Sequence, residues 1–247
     1  METRKIIEIC CGSYEDALAA YNGGAERIEL NSALYLGGLT PSLAALQLTK
    51  KNTDLKVICM VRPRPAGFCY NETDFEVMKL DAEIMMKNGA DGLAFGCLKE
   101  DSTINEEQTA QLVEIVKKYN GEAVFHRAFD CTKDPYEAVE KLIELGIDRI
   151  LTSGQQPKAM DGIALISDLQ KKYGDKIEFL AGSGVNSSNA IKIMTKTGIS
   201  QVHSSCKSWE EDPTTINGQL TFAYAPSPLE KSYEIVSEEL VKKLQNI

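Results

Sequence analysis

The feature that most constrains the fold of this chain is an alternation, repeated along its whole length, of short apolar runs with longer amphipathic runs. The short runs have the length of β-strands, and the longer runs repeat apolar residues at helical spacing. A helix between two strands brings the chain back to the same edge of the sheet, so successive strands should pair in parallel. We predict strands at residues 5–10, 27–31, 56–61, 92–95, 122–126, 149–152, 178–181 and 201–203. We predict helices at roughly 13–22, 41–51, 72–88, 105–119, 134–145, 160–173, 186–196 and 229–245.

This order predicts an α/β fold, a (β/α)8 TIM-type barrel that forms a single domain over residues 1–247. Barrels of this kind have about 250 residues, close to the length of this chain. Glycines between helices and strands, at Gly24, Gly89, Gly146 and Gly198, are typical of helix ends in the left-handed conformation. A doubly wound open sheet is the alternative, but the turn after the first strand, Cys11-Gly12-Ser13, is a poor match to its glycine-rich motif.

Charge and cysteine usage narrow the class of protein. A formal net charge of −9 argues against nucleic acid or an anionic membrane as the default partner. No signal peptide and no apolar run of roughly 18 residues is visible. The seven cysteines are scattered without a Cys-x-x-Cys pair, which predicts reduced thiols in a cytoplasmic protein. The longest irregular segment, 207–228, follows the last strand, where barrels often carry a lid or an interface loop.

Polar residues occur in the predicted strands at positions that alternation directs to the interior. Isoleucines at positions 7 and 9 suit the side that faces the helices, which directs Glu8 and Cys10 inward. The same parity directs Arg27, Glu29, Asn31, Ile58, Met60 and Arg62 inward, while His126 and His203 end strands five and eight. Buried charges must pair with each other or with a ligand. We therefore predict one interior polar cluster of Glu8, Glu29, Arg62, His126 and His203 near the strand tips.

Two interpretations of this cluster remain open. In the first, the residues fill the barrel as an ion-pair layer, and Arg62 neutralises Glu8 or Glu29. In the second, they form an active site, since histidine transfers protons near neutral pH and barrel sites lie at the C-terminal face. The second interpretation gives as catalytic candidates Glu8, Glu29, Arg62, His126, Asp130 and His203.

Segments after the later strands predict a site for a small anionic ligand inside this acidic protein. Glycine-flanked amides and hydroxyls after strands six to eight are typical of anion binding, and 182–184 is expected to open a helix. Guanidinium groups after strands three and five offer bidentate contacts to carboxylate or phosphate. The predicted binding residues are Arg64, Arg127, Ser153, Gly182, Gly184, Ser204 and Ser205. The alternative is that the glycine segment is only a tight turn.

Several cysteines lie at or beyond strand ends, where they could meet a metal ion. Thiolate and thioether groups are soft ligands that suit Cu(I), and Cys10 and Met60 share the interior side. Cys10 is the predicted metal ligand, with Met60 as an additional one. The alternative is that these cysteines are small buried hydrophobic residues.

The chain resembles the CutC family of copper homeostasis proteins over essentially its whole length. The residues that carry this resemblance are Glu8-Ile9-Cys10, Gly23-Gly24-Ala25-Glu26-Arg27-Ile28-Glu29-Leu30, Gly37-Gly38-Leu39-Thr40-Pro41-Ser42, Arg62-Pro63-Arg64, Phe125-His126-Arg127-Ala128-Phe129-Asp130, Leu151-Thr152-Ser153-Gly154 and Val202-His203-Ser204-Ser205. The resemblance implies a TIM-type barrel, a cytoplasmic location, often a homodimer, and copper(I) bound by cysteines near the ends of strands one and two. Cys10 matches the first of those positions. Asn31 stands at the second, where cysteine is common, and Gly67 stands where the family usually has Asp.

Three functions remain as hypotheses. The resemblance implies a copper homeostasis protein that binds Cu(I). The polar cluster predicts an enzyme (an isomerase, lyase or hydrolase) acting on a small anionic, phosphorylated or sugar-derived substrate. No obvious Schiff-base lysine lies within the strands, which argues against a lysine-dependent aldolase. The third hypothesis is a non-catalytic dimeric scaffold, which would show a large apolar outer patch.

Overall fold

A computed structural model describes residues 5–247 and shows a closed barrel of eight parallel strands. The strands pair in chain order, and the first strand also pairs with the eighth. The barrel strands are β1 Ile6–Cys11, β2 Arg27–Leu30, β3 Lys56–Met60, β4 Gly92–Phe95, β5 Glu122–Phe125, β6 Arg149–Thr152, β7 Glu178–Ala181 and β8 Gln201–Ser204. The predicted fold class is thus confirmed, with strand bounds that differ by no more than one residue at either end.

Helices follow the strands and cover the outside of the barrel. They are α1 Tyr14–Asn22, α2 Leu43–Asn52, α3 Glu72–Lys87, α4 Glu106–Lys118, α5 Pro135–Glu144, α6 Ile163–Tyr173, α7 Ala190–Thr197 and α8 Glu238–Gln245. The four glycines expected at helix ends all have positive φ, between 80° and 96°. No helix within residues 5–247 combines the length and the apolar character that a bilayer crossing requires.

The segment after β8 is more ordered than its sequence predicts. It contains β9 Lys207–Glu211, a short hairpin of β10 Ile216–Asn217 and β11 Leu220–Thr221, and β12 Ser232–Val236. β9 and β12 pair in antiparallel fashion, separate from the barrel sheet. The helix predicted at 229–245 is therefore wrong in its first half, because residues 232–236 find a strand partner in β9. The helix begins only at Glu238, after Ser237, whose hydroxyl accepts the Leu240 N–H.

α7 also begins later than its sequence predicts. The helix begins at Ala190, not at 186, so the glycine segment 182–184 does not open it. Side chains near its start make local turns instead: Asn189 Oδ1 accepts the Asn186 N–H, and Asn186 Oδ1 accepts from Ser188. Asparagine and serine compete with helical hydrogen bonding in this way. The expectation of a helix N-terminus directly at 182–184 is corrected accordingly.

The two sides of each barrel strand divide as alternation predicts. Side chains such as Ile7, Ile9 and Ile28 belong to the large apolar core beneath the helices. The interior side is partly apolar, with a small cluster of Ile58, Met60, Ala94 and Val124 from β3 to β5. On the other side of the interior, strand register places Glu8 beside both Arg27 and His203. The barrel interior is therefore polar along β8, β1 and β2.

Candidate functional site

A cavity of about 390 Å³ opens at the C-terminal ends of the barrel strands. Loops after β2, β3, β7 and β8 form its wall, and two residues of the β9–β12 sheet, Lys207 and Glu234, lie at its rim. Parallel strands present their C-terminal ends at one face of a barrel, which brings distant segments together there. The predicted site residues that line it are Cys10, Glu29, Arg62, His126, Arg127, Gly184, His203, Ser204 and Ser205.

Glu8 lies beneath the cavity and holds one of its walls in place. Its two carboxylate oxygens contact His203 Nδ1 at 2.9 Å and Arg27 Nε at 2.6 Å. Arg27 in turn donates to Gln201 Oε1 at 2.7 Å. Burial alone would raise the pKa of Glu8, but the charges of Arg27 and His203 lower it to about 2. Glu8 is therefore a buried carboxylate that orients and charges His203 from below.

His203 contacts Glu8 on one side and lines the cavity on the other. Burial opposes protonation, but the hydrogen bond to Glu8 and the charge of Glu29 outweigh it and raise the pKa of His203. The ring is 8% exposed, so little water screens these interactions. The two acidic neighbours thus favour the charged form of the imidazole.

Glu29 and Cys10 form the part of the wall next to His203. Glu29 is 3% exposed and accepts from Asn31 Nδ2 at 3.0 Å and from the Cys10 thiol at 3.9 Å. Burial raises the pKa of Glu29, although the His203 charge partly opposes the shift. Burial and the Glu29 charge raise the pKa of the Cys10 thiol well above its ordinary value. Asn31, at the position where cysteine is common in the resembling family, thus fixes the carboxylate next to Cys10.

Arg62 lies in another part of the same wall and has no carboxylate partner within residues 5–247. Its guanidinium donates to the backbone carbonyls of Leu36, Gly38 and Ala66 at 2.6–3.1 Å. A Cβ at Gly37 would come within 3.1 Å of the guanidinium. The loop can approach this closely because Gly37 and Gly38, both with positive φ, lack side chains. The interpretation that Arg62 neutralises Glu8 or Glu29 is wrong, because the side chain turns into this loop and Arg27 pairs with Glu8 instead.

The pKa of His126 is shifted in the opposite direction from that of His203. Its Nδ1 accepts the backbone N–H of Ala128 at 3.1 Å, which leaves the proton on Nε2. Burial and the positive charge of Arg62 lower the pKa of His126 to about 3. The ring lies against Phe68, with the two centroids 5.0 Å apart. His126 is therefore a neutral imidazole of the cavity lining, with a buried Nε2–H that has no hydrogen-bond partner.

Asp130 lies outside the cavity lining and holds the loop that follows β6. Its carboxylate accepts from the Thr152 hydroxyl at 2.6 Å, the Ser153 hydroxyl at 2.9 Å and the backbone N–H groups of Ser153 and Gln155. Arg127 Nε donates to it at 2.8 Å, and Arg127 Nη2 donates to the Ser153 hydroxyl. The contacts of Asp130 and Ser153 are thus with the protein itself, and only Arg127 of this group also reaches the cavity.

Of the other residues predicted to bind an anion, only some line the cavity. Arg64 points away from the cavity, where it pairs with Asp74 at 2.7 Å and lies over the Tyr70 ring. Gly182 is buried against Leu151 and does not reach the cavity. Ser204 lines it, but its hydroxyl donates to the Val185 carbonyl at 2.6 Å. Gly184 and Ser205 are exposed at the rim.

Some residues that contribute to the site were not predicted from the sequence. Gln201 and Phe68 had a usable signal, since Gln201 shares the parity of His203 and Phe68 follows the Arg62-Pro63-Arg64 segment. Lys207 and Glu234, which pair at 3.0 Å, had none, because the β9–β12 sheet was read as irregular chain and helix.

The donor atoms of Cys10, Glu29 and His203 all lie within 4.8 Å of one another. A thiol sulfur and an imidazole nitrogen suit Cu(I), whereas a carboxylate suits harder ions. Met60 also lines the cavity and can add a thioether. The donor set present therefore fits a copper ion in part, through its sulfur and imidazole members.

Fold and site together define the class: a TIM-type barrel protein with a polar cavity at the C-terminal ends of its strands. The chain belongs to the CutC family, since the CutC family model matches residues 5–208.

Comparisons with individual proteins also find members of the CutC family. A family protein CutC from Treponema denticola is 45% identical over 243 residues, which are 98% of each chain. A copper homeostasis protein cutC homolog from Homo sapiens is 36% identical over 243 residues, 98% of this chain and 88% of that protein. The crystal structure of a CutC protein from Streptococcus agalactiae superimposes with a TM-score of 0.77 and 28% identity, covering 81% of this chain and 98% of the other.

Proposed function

We propose that this protein takes part in copper homeostasis and binds Cu(I) in the cavity at the strand ends. The observation that carries the proposal is the cluster of Cys10, Glu29 and His203 within 4.8 Å. Relatives named as copper homeostasis proteins, one of them 36% identical over nearly the whole chain, support the same function. Cys10 is the proposed principal ligand, His203 the second, and Met60 an additional one.

Binding of the metal at this site is coupled to the release of protons from its ligands. Cys10 must lose its proton to bind as a thiolate, and burial with the Glu29 charge raises its pKa. His203 must also lose a proton, which Glu8 and Glu29 help to retain. Metal binding therefore competes with at least these two protons, which makes the site weak at low pH and suited to transient binding.

The test is an anaerobic Cu(I) titration against a competing chromophoric chelator, under reducing conditions. We expect the wild-type protein to bind an equivalent of Cu(I) that Cys10→Ser does not bind. Cys69→Ser is the matched control, because its thiol is exposed and does not line the cavity. Equal stoichiometry in wild type and Cys10→Ser would remove the proposed site.

A second candidate function is acid–base catalysis on a small anionic substrate. The observation that favours it is Glu29, a cavity-lining carboxyl group whose pKa is raised by burial, adjacent to the imidazole of His203. A carboxyl group whose pKa is raised by burial is better suited to accept and return a proton than an ordinary carboxyl group. Arg62 and Arg127 supply positive charge to the same cavity.

This second function is tested by proton exchange. The protein is incubated in D2O with small hydroxy acids, keto acids and sugar phosphates, and deuterium incorporation at carbon is followed by NMR. We expect exchange with at least one compound, lost in Glu29→Gln and kept in Glu26→Gln, whose side chain belongs to the exposed loop before β2. Equal exchange rates in the Glu29→Gln variant would remove Glu29 as the base.

We further propose a cytoplasmic location and a homodimer, both of which the family resemblance implies. All seven cysteines are free thiols, as expected in a reducing compartment. Sedimentation equilibrium tests the dimer: a mass twice that of the 27.2 kDa chain supports it, and the monomer mass contradicts it.

A further inference from the structure

The most unusual polar group in the cavity is Arg62, a charge buried without an opposite charge. The residue is 5% exposed, and three backbone carbonyls take up its two Nη groups. No carboxylate within residues 5–247 forms an ion pair with it, and its Nε has no hydrogen-bond partner. A buried charge without a counter-charge destabilises the folded protein. The group is therefore prepared for an anion from outside the chain.

A second unpartnered donor belongs to His126, which is 3% exposed. Its Nδ1 is occupied by the Ala128 N–H, and its protonated Nε2 has no partner. Arg62 and His126 both line the cavity and both pack against Phe68, with the guanidinium carbon 5.2 Å and the imidazole centroid 5.0 Å from the ring centroid. Two residues that line the cavity, Arg62 and His126, thus each carry a buried N–H group without a partner, and Arg62 adds a positive charge.

Barrels of this type commonly bind phosphate in the loops after β7 and β8. In this protein two serine hydroxyls at those loops are already hydrogen-bonded to the backbone. The Ser183 and Ser204 hydroxyls donate to the carbonyls of Pro157 and Val185. α7 begins only at Ala190, so no helix N-terminus faces the glycine segment. The buried N–H groups without a partner belong to Arg62 and His126, which follow β3 and β5, whereas His203 on β8 is already paired with Glu8.

We infer that Arg62 Nε and His126 Nε2 form the binding site for the carboxylate group of a small organic acid. One cation and one neutral N–H donor match the single charge and the two oxygens of a carboxylate. A phosphate dianion has more charge and more oxygens than these two donors satisfy. A volume of about 390 Å³ accommodates an acid of a few carbon atoms. The inference rests on the second proposed function for its anionic ligand and narrows the class, but binding requires no turnover.

The test is calorimetric titration at constant ionic strength with lactate, pyruvate and glycerate, and with lactamide and inorganic phosphate as comparisons. Two variants at one position separate the roles of the imidazole. His126→Asn keeps an acceptor for the Ala128 N–H but lacks the Nε2 donor, whereas His126→Gln can place an N–H near the Nε2 position. We expect at least one carboxylate to bind, lactamide and phosphate to bind at least tenfold more weakly, and His126→Asn to weaken the carboxylate about tenfold. His126→Gln should stay within about threefold of wild type.

In the wild-type protein the Nε2–H resonance of His126 should shift when the carboxylate is added, which tests the contact even if a variant fails to fold. Phosphate binding as tight as carboxylate, identical affinities in the two variants, or no binding of any of the three acids would overturn the inference. Carboxylate binding through His126 without proton exchange supports the inference and removes only the catalytic proposal.

Discussion

The two histidines of the chain line one cavity, and their neighbours shift their pKa values in opposite directions. Glu8 and Glu29 favour the charged form of His203, while burial and Arg62 favour the neutral form of His126. The difference arises from partners and not from exposure, since both rings are almost fully buried. The cavity therefore combines an imidazole whose charged form is favoured, beside Glu8 and Glu29, with a neutral imidazole beside Arg62.

An NMR titration of the imidazole signals checks this assignment. We expect His126 to remain neutral down to pH values near 3, and His203 to stay protonated above its ordinary pKa of 6.5. His126→Gln identifies the two signals. A His126 signal that titrates near 6.5 would contradict the account.

The pKa shifts of the two histidines make the free energy of unfolding depend on pH. The folded pKa of His126 lies below its unfolded value of 6.5, so its contribution is lost as pH falls from 6.5 toward about 3. The loss is about 1.4 kcal/mol per pH unit in that window, and the difference between wild type and His126→Gln isolates it. His203 acts in the opposite sense: its stabilising contribution is present below 6.5 and is lost as pH rises through its raised folded pKa.

Alternation along the strands was sufficient to predict which residues enter the barrel, because parity is a local property. Glu29, Arg62, His126 and His203 were all assigned to the interior face, and all line the cavity. The partner of each residue could not be predicted in the same way. Whether Arg27 or Arg62 pairs with Glu8 depends on register between strands and on the path of the loop at Gly37-Gly38.

At the scale of elements, Asp130 connects two of them, the turn after β5 and the loop after β6. Its carboxylate accepts from side-chain and backbone donors of Thr152, Ser153 and Gln155. Its side chain is 8% exposed, so removing it leaves several buried donors unpaired. We infer that Asp130 positions Arg127 and the β6 loop at the edge of the cavity.

Asp130→Ala should therefore destabilise the fold by about 3 kcal/mol, since each buried unpaired donor costs about 1–3 kcal/mol. Urea unfolding followed by circular dichroism measures the effect. The control is Asp161→Ala, an exposed carboxylate that should change stability by less than about 0.5 kcal/mol. A small, equal effect of both substitutions would show that the loop does not depend on Asp130.

The elements that sequence reasoning missed are those stabilised by distant partners. The segment 232–236 forms a strand because β9 lies next to it, and its last residue, Val236, donates its N–H to Asp16 at 2.7 Å. No local pattern reveals these partners, one of which lies more than 200 residues away in sequence. The barrel strands and helices, whose signals are local, were predicted closely.

At the scale of the whole molecule, the β9–β12 sheet is attached to the barrel at several points. Val236 donates its N–H to Asp16 of α1. Tyr224, in the loop before β12, accepts the Glu234 N–H and stacks on Tyr35, in the loop after β2, with ring centroids 4.5 Å apart. The sheet also contributes Lys207 and Glu234 to the cavity rim. These contacts predict that sheet and barrel fold as one domain.

The single tryptophan offers a direct test, because Trp209 lies in β9, outside the barrel. Its fluorescence reports on the added sheet, while far-ultraviolet circular dichroism reports mainly on the barrel helices. We expect the two urea unfolding curves to coincide, as for a cooperative single domain. A fluorescence midpoint well below the dichroism midpoint would show that the sheet unfolds independently.

The central claim is that the sulfur and imidazole at the acidic wall of the cavity hold copper. Crystals prepared anaerobically with Cu(I) and measured above the copper absorption edge locate the ion without reference to activity. The account predicts an anomalous difference peak within bonding distance of Cys10 Sγ and His203. A peak at the exposed thiols of Cys69 or Cys131, or an empty cavity at saturating Cu(I), would contradict it.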